Sequence, residues 1–209
     1  PGDPAYIIYT SGTTGLPKGV ICGHAGVFNL LHAFEWQPPN SPLHASLWTS
    51  LNFDVSVIEI FPALLTGGSL AIVPQAVRTD AIQFFRWLAD QKIERCYLPP
   101  FMVDPLLVWL KQGHRLDQLQ HLLVGVEPLA EETLVAIQQH IPGLRLVNAY
   151  GPTEATVCVT QYMVPPDSPR IGKTPIGRPL LNSQIYLLDE LMQPVPIGVA
   201  GELYVGGLG

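Results

Sequence analysis

Short apolar segments alternate along this chain with longer segments whose apolar positions recur at helical spacing. Helices are predicted over residues 55–65, from Thr79 as an N-cap residue, and over residues 102–112 and 130–139. Strands are predicted over residues 45–50, 69–73, 92–98, 120–124 and 144–148. Strands that alternate with helices in this way favour βαβ crossovers. The pattern therefore predicts an α/β fold over about residues 41–164, in which a doubly wound parallel sheet carries helices on both faces.

On either side of this region the alternation of strands and helices is not continued. Before it, residues 5–10 are predicted to form a buried strand and residues 25–34 a helix, and the proline-rich residues 37–42 break the pattern. After it, proline-rich linkers separate two short predicted strands at residues 182–188 and 202–205. We expect this last part to be the start of a β subdomain.

Composition narrows the class of protein. Hydrophobic residues make up 47% of the chain and mean hydropathy is +0.26, yet no apolar run reaches the length of a membrane span, so we expect a globular chain without a transmembrane helix. The net charge is −6 and the 11 basic residues are spread singly, which argues against nucleic acid or a membrane surface as partners. The 3 cysteines lie far apart, predict neither a disulfide framework nor a zinc site, and fit a reducing cytoplasm.

The richest chemical signal is the string TSGTTGLPKG at residues 10–19, which follows the first predicted strand. Its glycines let backbone N–H groups converge on an anion, its hydroxyl groups add donors, and its lysine adds a point charge. The spacing is not that of a Walker A loop, and a flexible turn is the alternative interpretation. As a phosphate loop, the string would offer a nucleotide Thr10, Ser11, Gly12, Thr13, Thr14, Gly15 and Lys18.

A second polar segment, NAYGPTE at residues 148–154, follows the last strand predicted for the sheet. The face of Tyr150 can stack on a purine, and the amide of Asn148 can hydrogen-bond an exocyclic amine. Thr153 can donate to a phosphate oxygen, and Glu154 can hold Mg²⁺, which prefers a carboxylate together with phosphate oxygens. A polar turn with a core tyrosine is the alternative.

These two segments resemble the phosphate loop and the adenine and magnesium motif of the adenylate-forming, AMP-binding enzymes. That superfamily includes acyl-CoA synthetases, luciferases and the adenylation domains of nonribosomal peptide synthetases. Residues 177–179 together with 201–207 resemble its later core motifs, and residues 53–57 together with 59–61 resemble the block specific to the peptide-synthetase branch. Because the match runs through the whole chain in the family's order, the chain is identified by resemblance as part of a peptide-synthetase adenylation domain.

The resemblance implies a division of residues 1–209, a partial adenylation domain, into three parts. Residues 1–43 would hold the phosphate-loop part of a first subdomain, residues 44–164 a flavodoxin-like second subdomain, and residues 165–209 the start of a β-barrel-like subdomain. The catalytic lysine of the family comes from a C-terminal lobe, which we expect to lie outside this chain. These residues alone are therefore expected to be inactive.

The resemblance also implies ATP and Mg²⁺ as cofactors and assigns roles around them. Thr153 would touch the α-phosphate and Glu154 would bind magnesium, which makes these two the expected catalytic residues. Lys18 is expected to organise the phosphate loop or to face solvent. The nucleotide-binding set beside the loop is Asn148, Ala149, Tyr150 and Gly151.

Asp54 is the expected determinant of the substrate. An N-cap aspartate is the alternative, since the residue precedes a predicted helix. By resemblance it pairs with the α-ammonium group of an amino acid. The rest of the implied pocket, each member of which could instead be plain core, is Val55, Ile58, Tyr97, Leu123, Gly125, Ala149, Val157 and Cys158. Because only Asp54 in this set is charged, we expect a neutral, mainly apolar substrate side chain.

One loop departs from the family pattern. Residues 124–129 resemble a loop that lines the nucleotide and substrate, where the family usually shows two adjacent glycines. This chain has Gly125 followed by Val126. The additional side chain is expected to narrow the site or to shift the loop.

The activity implied by the resemblance is ATP-dependent conversion of an amino acid to aminoacyl-AMP. The acyl group would then pass to the phosphopantetheine thiol of a peptidyl carrier domain, and a condensation domain of the same synthetase would be a further partner. One alternative is an acyl- or aryl-CoA ligase of the same superfamily, against which Asp54 and the block at residues 53–61 argue. Another is a non-catalytic nucleotide-binding relic, and the residues that follow Gly209 would separate these interpretations.

Overall fold

The computed structural model describes residues 2–11, 15–33, 42–167 and 171–209. The predictions for Gly12, Thr13, Thr14 and most of the proline-rich break lie outside these residues. The helices are α1 His24–Ala33, α2 Val55–Leu65, α3 Ala81–Asp90, α4 Val103–Lys111 and α5 Glu131–His140. The strands are β1 Pro4–Thr10, β2 Lys18–Gly23, β3 His44–Leu47, β4 Ser69–Ile72, β5 Arg95–Tyr97, β6 His121–Gly125, β7 Arg145–Tyr150, β8 Thr160–Met163, β9 Arg178–Pro179, β10 Ser183–Leu188 and β11 Glu202–Gly207.

The described residues form one large sheet with the strand order β4-β3-β5-β6-β7-β8-β9. The pairs from β4 through β7 are all parallel, which confirms the predicted α/β fold with a mainly parallel sheet. The sheet is not parallel throughout, because β8 pairs antiparallel with β7, and β9 antiparallel with β8. The register sets Tyr150 opposite Thr160, and so short a connection leaves no room for the crossover that a parallel partner needs.

Helices cover both faces of the sheet, as predicted. Successive residues of β6 point to opposite faces, so Leu122 and Val124 pack with α3, α4 and α5, whereas Leu123 packs with α1 and α2. Both sets of side chains are buried. The sheet is therefore the middle layer of three, and the ends of its strands are the natural place for a site.

The β1–β2 hairpin and the β10–β11 hairpin form two further antiparallel sheets. The prediction that residues 5–10 are a buried strand is wrong in its burial, although β1 is a strand. Ile8 is buried, but Ile7 is 56% and Tyr9 71% exposed. A two-stranded ribbon has two faces, and within the described chain only one of them is covered.

Helix α3 begins one residue later than predicted. Asp80, and not Thr79, is its N-cap residue, and the Asp80 carboxylate accepts the N–H of Gln83 at 3.0 Å. That contact satisfies one of the free N–H groups of the first turn. None of the helices in the described ranges has both the length and the apolar character needed to cross a membrane.

Candidate active site at the carboxyl ends of the parallel strands

A cavity of about 200 Å³ lies where β5, β6 and β7 end and α2 begins. The structure brings together all of the residues predicted for the substrate pocket, since each of them lines this cavity. Those residues are Asp54, Val55, Ile58, Tyr97, Leu123, Gly125, Ala149, Val157 and Cys158. Tyr150 and Gly151 from the predicted nucleotide-binding set line it as well, and so does Thr153, one of the two expected catalytic residues.

Sheet topology explains this convergence of residues that are distant in sequence. Neighbouring parallel strands present their carboxyl ends at one edge of the sheet. The register pairs Tyr97 with Leu123 and Gly125 with Ala149, so the last residues of β5, β6 and β7 lie side by side. Side chains that follow these strands therefore reach the same cavity.

Asp54 is the charged residue of this wall and is only 5% exposed. It occupies the N-cap position of α2 but makes no side-chain capping hydrogen bond, so the structure gives no support to the capping alternative. Burial raises the pKa of its carboxyl group, and a hydrogen bond from Thr153 acts in the opposite direction. No Lys, Arg or His is among the described residues that line the cavity. The carboxylate is thus available to a cationic group of a ligand.

The turn after β6 departs from ordinary backbone geometry. Gly125 has a φ of +154°, and a Cβ atom there would overlap the carbonyl oxygen of Ala149. Val126 follows with a φ of +75°, which is unusual for a β-branched residue, and its side chain is 60% exposed on the cavity lining. Only glycine fits the first position, whereas the second carries backbone strain at the edge of the site.

The hairpin that carries the predicted phosphate loop lies against the Thr153–Ala155 turn. The thiol of Cys22 in β2 donates to the carbonyl oxygen of Thr153 at 3.3 Å. At the other end of the hairpin, Thr10 is half-buried and Ser11, Gly15 and Lys18 are exposed. The part of the loop that the structure describes is therefore open to solvent.

The predicted adenine and magnesium residues do not all face the cavity. Asn148 is buried outside it, and its Nδ2 atom donates to the carbonyl oxygen of Pro175 at 2.8 Å. Tyr150 lies at the rim and is 40% exposed, and Glu154 is exposed one residue beyond Thr153. Within the described ranges no cluster of three His, Cys, Asp or Glu residues could hold a metal ion. The single carboxylate of Glu154 fits Mg²⁺ that is bound together with phosphate oxygens.

Val124 and Val126 line the cavity, as expected for their loop, and sequence reasoning missed two further lining residues, Phe53 and Pro152. Each directly adjoins a predicted residue in sequence, and that adjacency is the signal that could have found them. Tyr6 was also missed, although its hydroxyl is buried close to Cys22, Asp54 and Cys158. No local pattern in β1 distinguishes Tyr6 from Tyr9, because only the packed hairpin shows which ring faces inward.

Comparisons with known proteins agree with this geometry. The family model for AMP-binding enzyme matches residues 1–209. A linear gramicidin synthase of Brevibacillus parabrevis is 42% identical over 209 residues, which are 98% of this chain and 4% of that protein. The structure of PA1221, an NRPS protein containing adenylation and PCP domains, superposes with a TM-score of 0.85 at 29% identity, covering 99% of this chain and 41% of that one.

A second solved structure is similar over the same extent. The AMPPNP-bound form of the nonribosomal peptide synthetase FmoA3 has a TM-score of 0.87 at 27% identity and covers 99% of this chain and 22% of that one. The chain thus spans only a small part of the curated relatives it matches. The resemblance to peptide-synthetase adenylation domains is confirmed. Because the family model covers every residue, the chain belongs to the AMP-binding enzyme family.

Proposed function

We propose that this chain forms the substrate-binding part of an adenylation domain that converts a neutral, apolar amino acid to aminoacyl-AMP with Mg²⁺ and ATP. The observation that carries the proposal is a buried carboxylate, Asp54, in a cavity whose other described lining residues are uncharged. A charged group in such surroundings needs a partner of opposite sign. The α-ammonium group of an amino acid is that partner, and the apolar wall then receives its side chain.

The size of the cavity supports an amino acid as its occupant. About 200 Å³ corresponds to roughly seven water molecules at about 30 Å³ each. That volume suits an amino-acid side chain. ATP would lie at the opening of the cavity, beside the exposed faces of Tyr150 and Glu154 and the open phosphate loop.

The turn that links the two subsites supports a reaction between their occupants. Thr153 lines the cavity and hydrogen-bonds the Asp54 carboxyl group, while Glu154 beside it faces solvent. An amino acid held by Asp54 would present its carboxylate towards this turn, where Thr153 would meet the α-phosphate. Glu154 would hold Mg²⁺, which neutralises phosphate charge. Catalysis by this arrangement would rest on positioning and charge stabilisation.

We also propose a carrier domain as the acceptor of the activated amino acid. One structural relative, PA1221, contains adenylation and PCP domains in one protein. The same arrangement here would bring a phosphopantetheine thiol to the aminoacyl-AMP, and a condensation domain would use the loaded product.

Amino-acid-dependent ATP–pyrophosphate exchange tests the proposal in the full-length protein that carries this chain. A panel should compare apolar amino acids such as leucine, valine and phenylalanine with lysine and glutamate. We expect exchange with one or more apolar members and a kcat/KM at least about 100-fold lower for both charged ones, because their side chains would be buried without a partner. Strong exchange with lysine or glutamate would contradict the assignment of this cavity.

A further inference from the structure

Glu59 is a buried carboxyl group that the proposed chemistry does not use. It lies on α2 and is 1% exposed. Its Oε1 atom accepts the backbone N–H of Trp48 at 2.8 Å, and its Oε2 atom accepts that of Thr49 at 3.0 Å. Trp48 and Thr49 directly follow β3, where the chain leaves the sheet. One side chain therefore fastens α2 to the end of a strand in the parallel sheet.

The segment between these attachment points carries Asp54 to the cavity. Residues 50–54 run from the end of the attached backbone to the start of α2, and the N–H of Phe53 donates to the carbonyl oxygen of Ser50 at 2.9 Å within them. The Asp54 carboxyl group interacts with the Thr153 side chain and with the backbone of Val55 at the start of α2. The backbone position from which it reaches the cavity depends on the two ends of this segment, which Glu59 holds together.

The same attachment supports a second wall of the cavity. The indole ring of Trp48 packs against the ring of Tyr97, with 6.2 Å between ring centroids, and its Nε1 atom donates to the carbonyl oxygen of Arg78 at 3.0 Å. Tyr97 lines the cavity. Because Glu59 fixes the backbone of Trp48, it restrains the wall that Tyr97 forms as well.

The pKa of Glu59 is raised to about 8, and burial, which is unfavourable for the charged form, is the main cause. The hydrogen bonds from Trp48 and Thr49, and then the charge of Arg78, act in the opposite direction. Cys96 and Tyr97 are also titratable and lie near Glu59. Burial raises the pKa of both groups, and the negative charge of Glu59 raises it further. Loss of the carboxyl group would leave the backbone N–H groups of Trp48 and Thr49, the second of them buried, without their acceptor.

We propose that Glu59 is a positioning residue that fixes the amino-acid subsite by joining α2 to the backbone at residues 48–49. The expected effect of Glu59 on amino-acid binding rests on the proposed function, whereas its hydrogen bonds to the backbone of Trp48 and Thr49 are a property of the fold. Glu59→Gln keeps the size of the side chain but replaces one acceptor oxygen with an NH₂ donor that faces an N–H group. Glu59→Asp keeps the carboxyl group and withdraws both oxygens by one methylene group.

The test compares these variants with a matched control in the full-length protein. Glu131 in α5 is also fully buried, and its carboxylate accepts the hydroxyl of Tyr162 at 3.0 Å, but it does not line the cavity. In pyrophosphate exchange, Glu59→Gln and Glu59→Asp should each raise the KM for the amino acid about tenfold or more while changing the KM for ATP less than about twofold. Glu131→Gln should leave both constants within about twofold.

Hydrogen–deuterium exchange over residues 44–60 is the second readout, and it needs no substrate. Both Glu59 variants should speed exchange at Trp48 and Thr49, and Glu131→Gln should not. The inference is wrong if exchange there stays as in the wild type, or if the Glu59 variants change the two KM values equally. Failure of the wild-type protein to activate any amino acid would instead overturn the proposed function, and the exchange result would still decide whether Glu59 forms the attachment. If one Glu59 variant does not fold, the other decides.

Discussion

The cavity end of the parallel sheet and the β1–β2 hairpin are built in opposite ways. The cavity wall is formed by buried strands, the buried start of a helix and the turns that follow the strands. Most of its predicted residues are buried, Tyr97 and Leu123 among them. The hairpin has two strands, and it exposes Ile7, Tyr9 and Ile21. Both regions carry residues assigned to the site, yet only the first is rigidly supported by the described chain.

This difference separates the two halves of the proposed reaction. Recognition of the amino acid would use a preformed cavity, whereas the phosphate contacts would come from exposed groups such as Lys18 and Glu154. A preformed cavity gives selectivity because its walls cannot adapt to a wrong side chain. Exposed groups at an open loop suit a phosphate ligand, because the negative charge of the phosphates attracts these groups and can order the loop when the ligand binds.

The first prediction concerns stability, where the contrast should be largest. Ile93 is 2% exposed in the main core, and Ile21 in β2 is 64% exposed. Ile93→Ala should lower the free energy of unfolding by about 2–5 kcal/mol, because it leaves a cavity in a close-packed region. Ile21→Ala, the same truncation, should change it by less than about 0.5 kcal/mol. Urea unfolding measures both, and similar losses would mean that the hairpin face is covered in the intact protein.

The second prediction separates the two subsites by their ligands. Glu154→Gln removes the exposed carboxylate assigned to Mg²⁺, so the KM for Mg·ATP should rise about tenfold while the dissociation constant of the amino acid stays within about twofold. Isothermal titration with the amino acid and steady-state exchange at varied ATP give the two values. Glu190→Gln, at another exposed glutamate outside the cavity lining, is the control and should alter neither. Unchanged use of ATP by Glu154→Gln would remove Glu154 from the site.

The third prediction concerns the strained edge between the two subsites and has the smallest expected effect. Val126→Gly relieves a φ of +75° and opens the cavity edge. It should keep or raise the free energy of unfolding, by up to about 1 kcal/mol, and should favour larger apolar amino acids about threefold in relative kcat/KM. Val126→Ala trims the side chain but keeps a Cβ atom at that backbone angle, so it should share the change in selectivity without the gain in stability. A loss of stability in both variants would show that the Val126 side chain packs in place and is not strained.

The location of residues at the carboxyl ends of strands could be predicted because they belong to recognisable sequence motifs. The motif at residues 148–154 and the block at residues 53–61 indicated the neighbourhood of the site, and alternation of strands and helices indicated the α/β fold. Burial could not be predicted for β1, since an apolar strand looks alike whether one or both of its faces are covered. The antiparallel edge was missed because strand direction depends on the length of a connection, which local hydrophobicity does not encode.

The role of individual polar residues was harder to predict than their location. Asp54 stands at an N-cap position, and only its missing capping bond and its place on the cavity wall separate the two interpretations. In sequence, Glu59 is a polar residue of an apolar helix, and the block at residues 59–61 to which it belongs does not indicate its contacts. Its contacts reach residues 48 and 49, eleven and ten positions earlier, and contacts at that distance follow from packing alone.

The central claim is that Asp54 recognises the α-ammonium group of the substrate. The most direct measurement compares an apolar amino acid with the same acid lacking its α-amino group, in pyrophosphate exchange by the wild type and by Asp54→Asn. We expect the wild type to favour the amino acid at least about 100-fold in kcat/KM, because a buried carboxylate without its partner is strongly unfavourable. Asp54→Asn should lose most of that preference while its KM for ATP stays within about twofold. Equal use of both acids by the wild type, or an unchanged preference in Asp54→Asn, would contradict this account and would favour an acyl or aryl acid ligase.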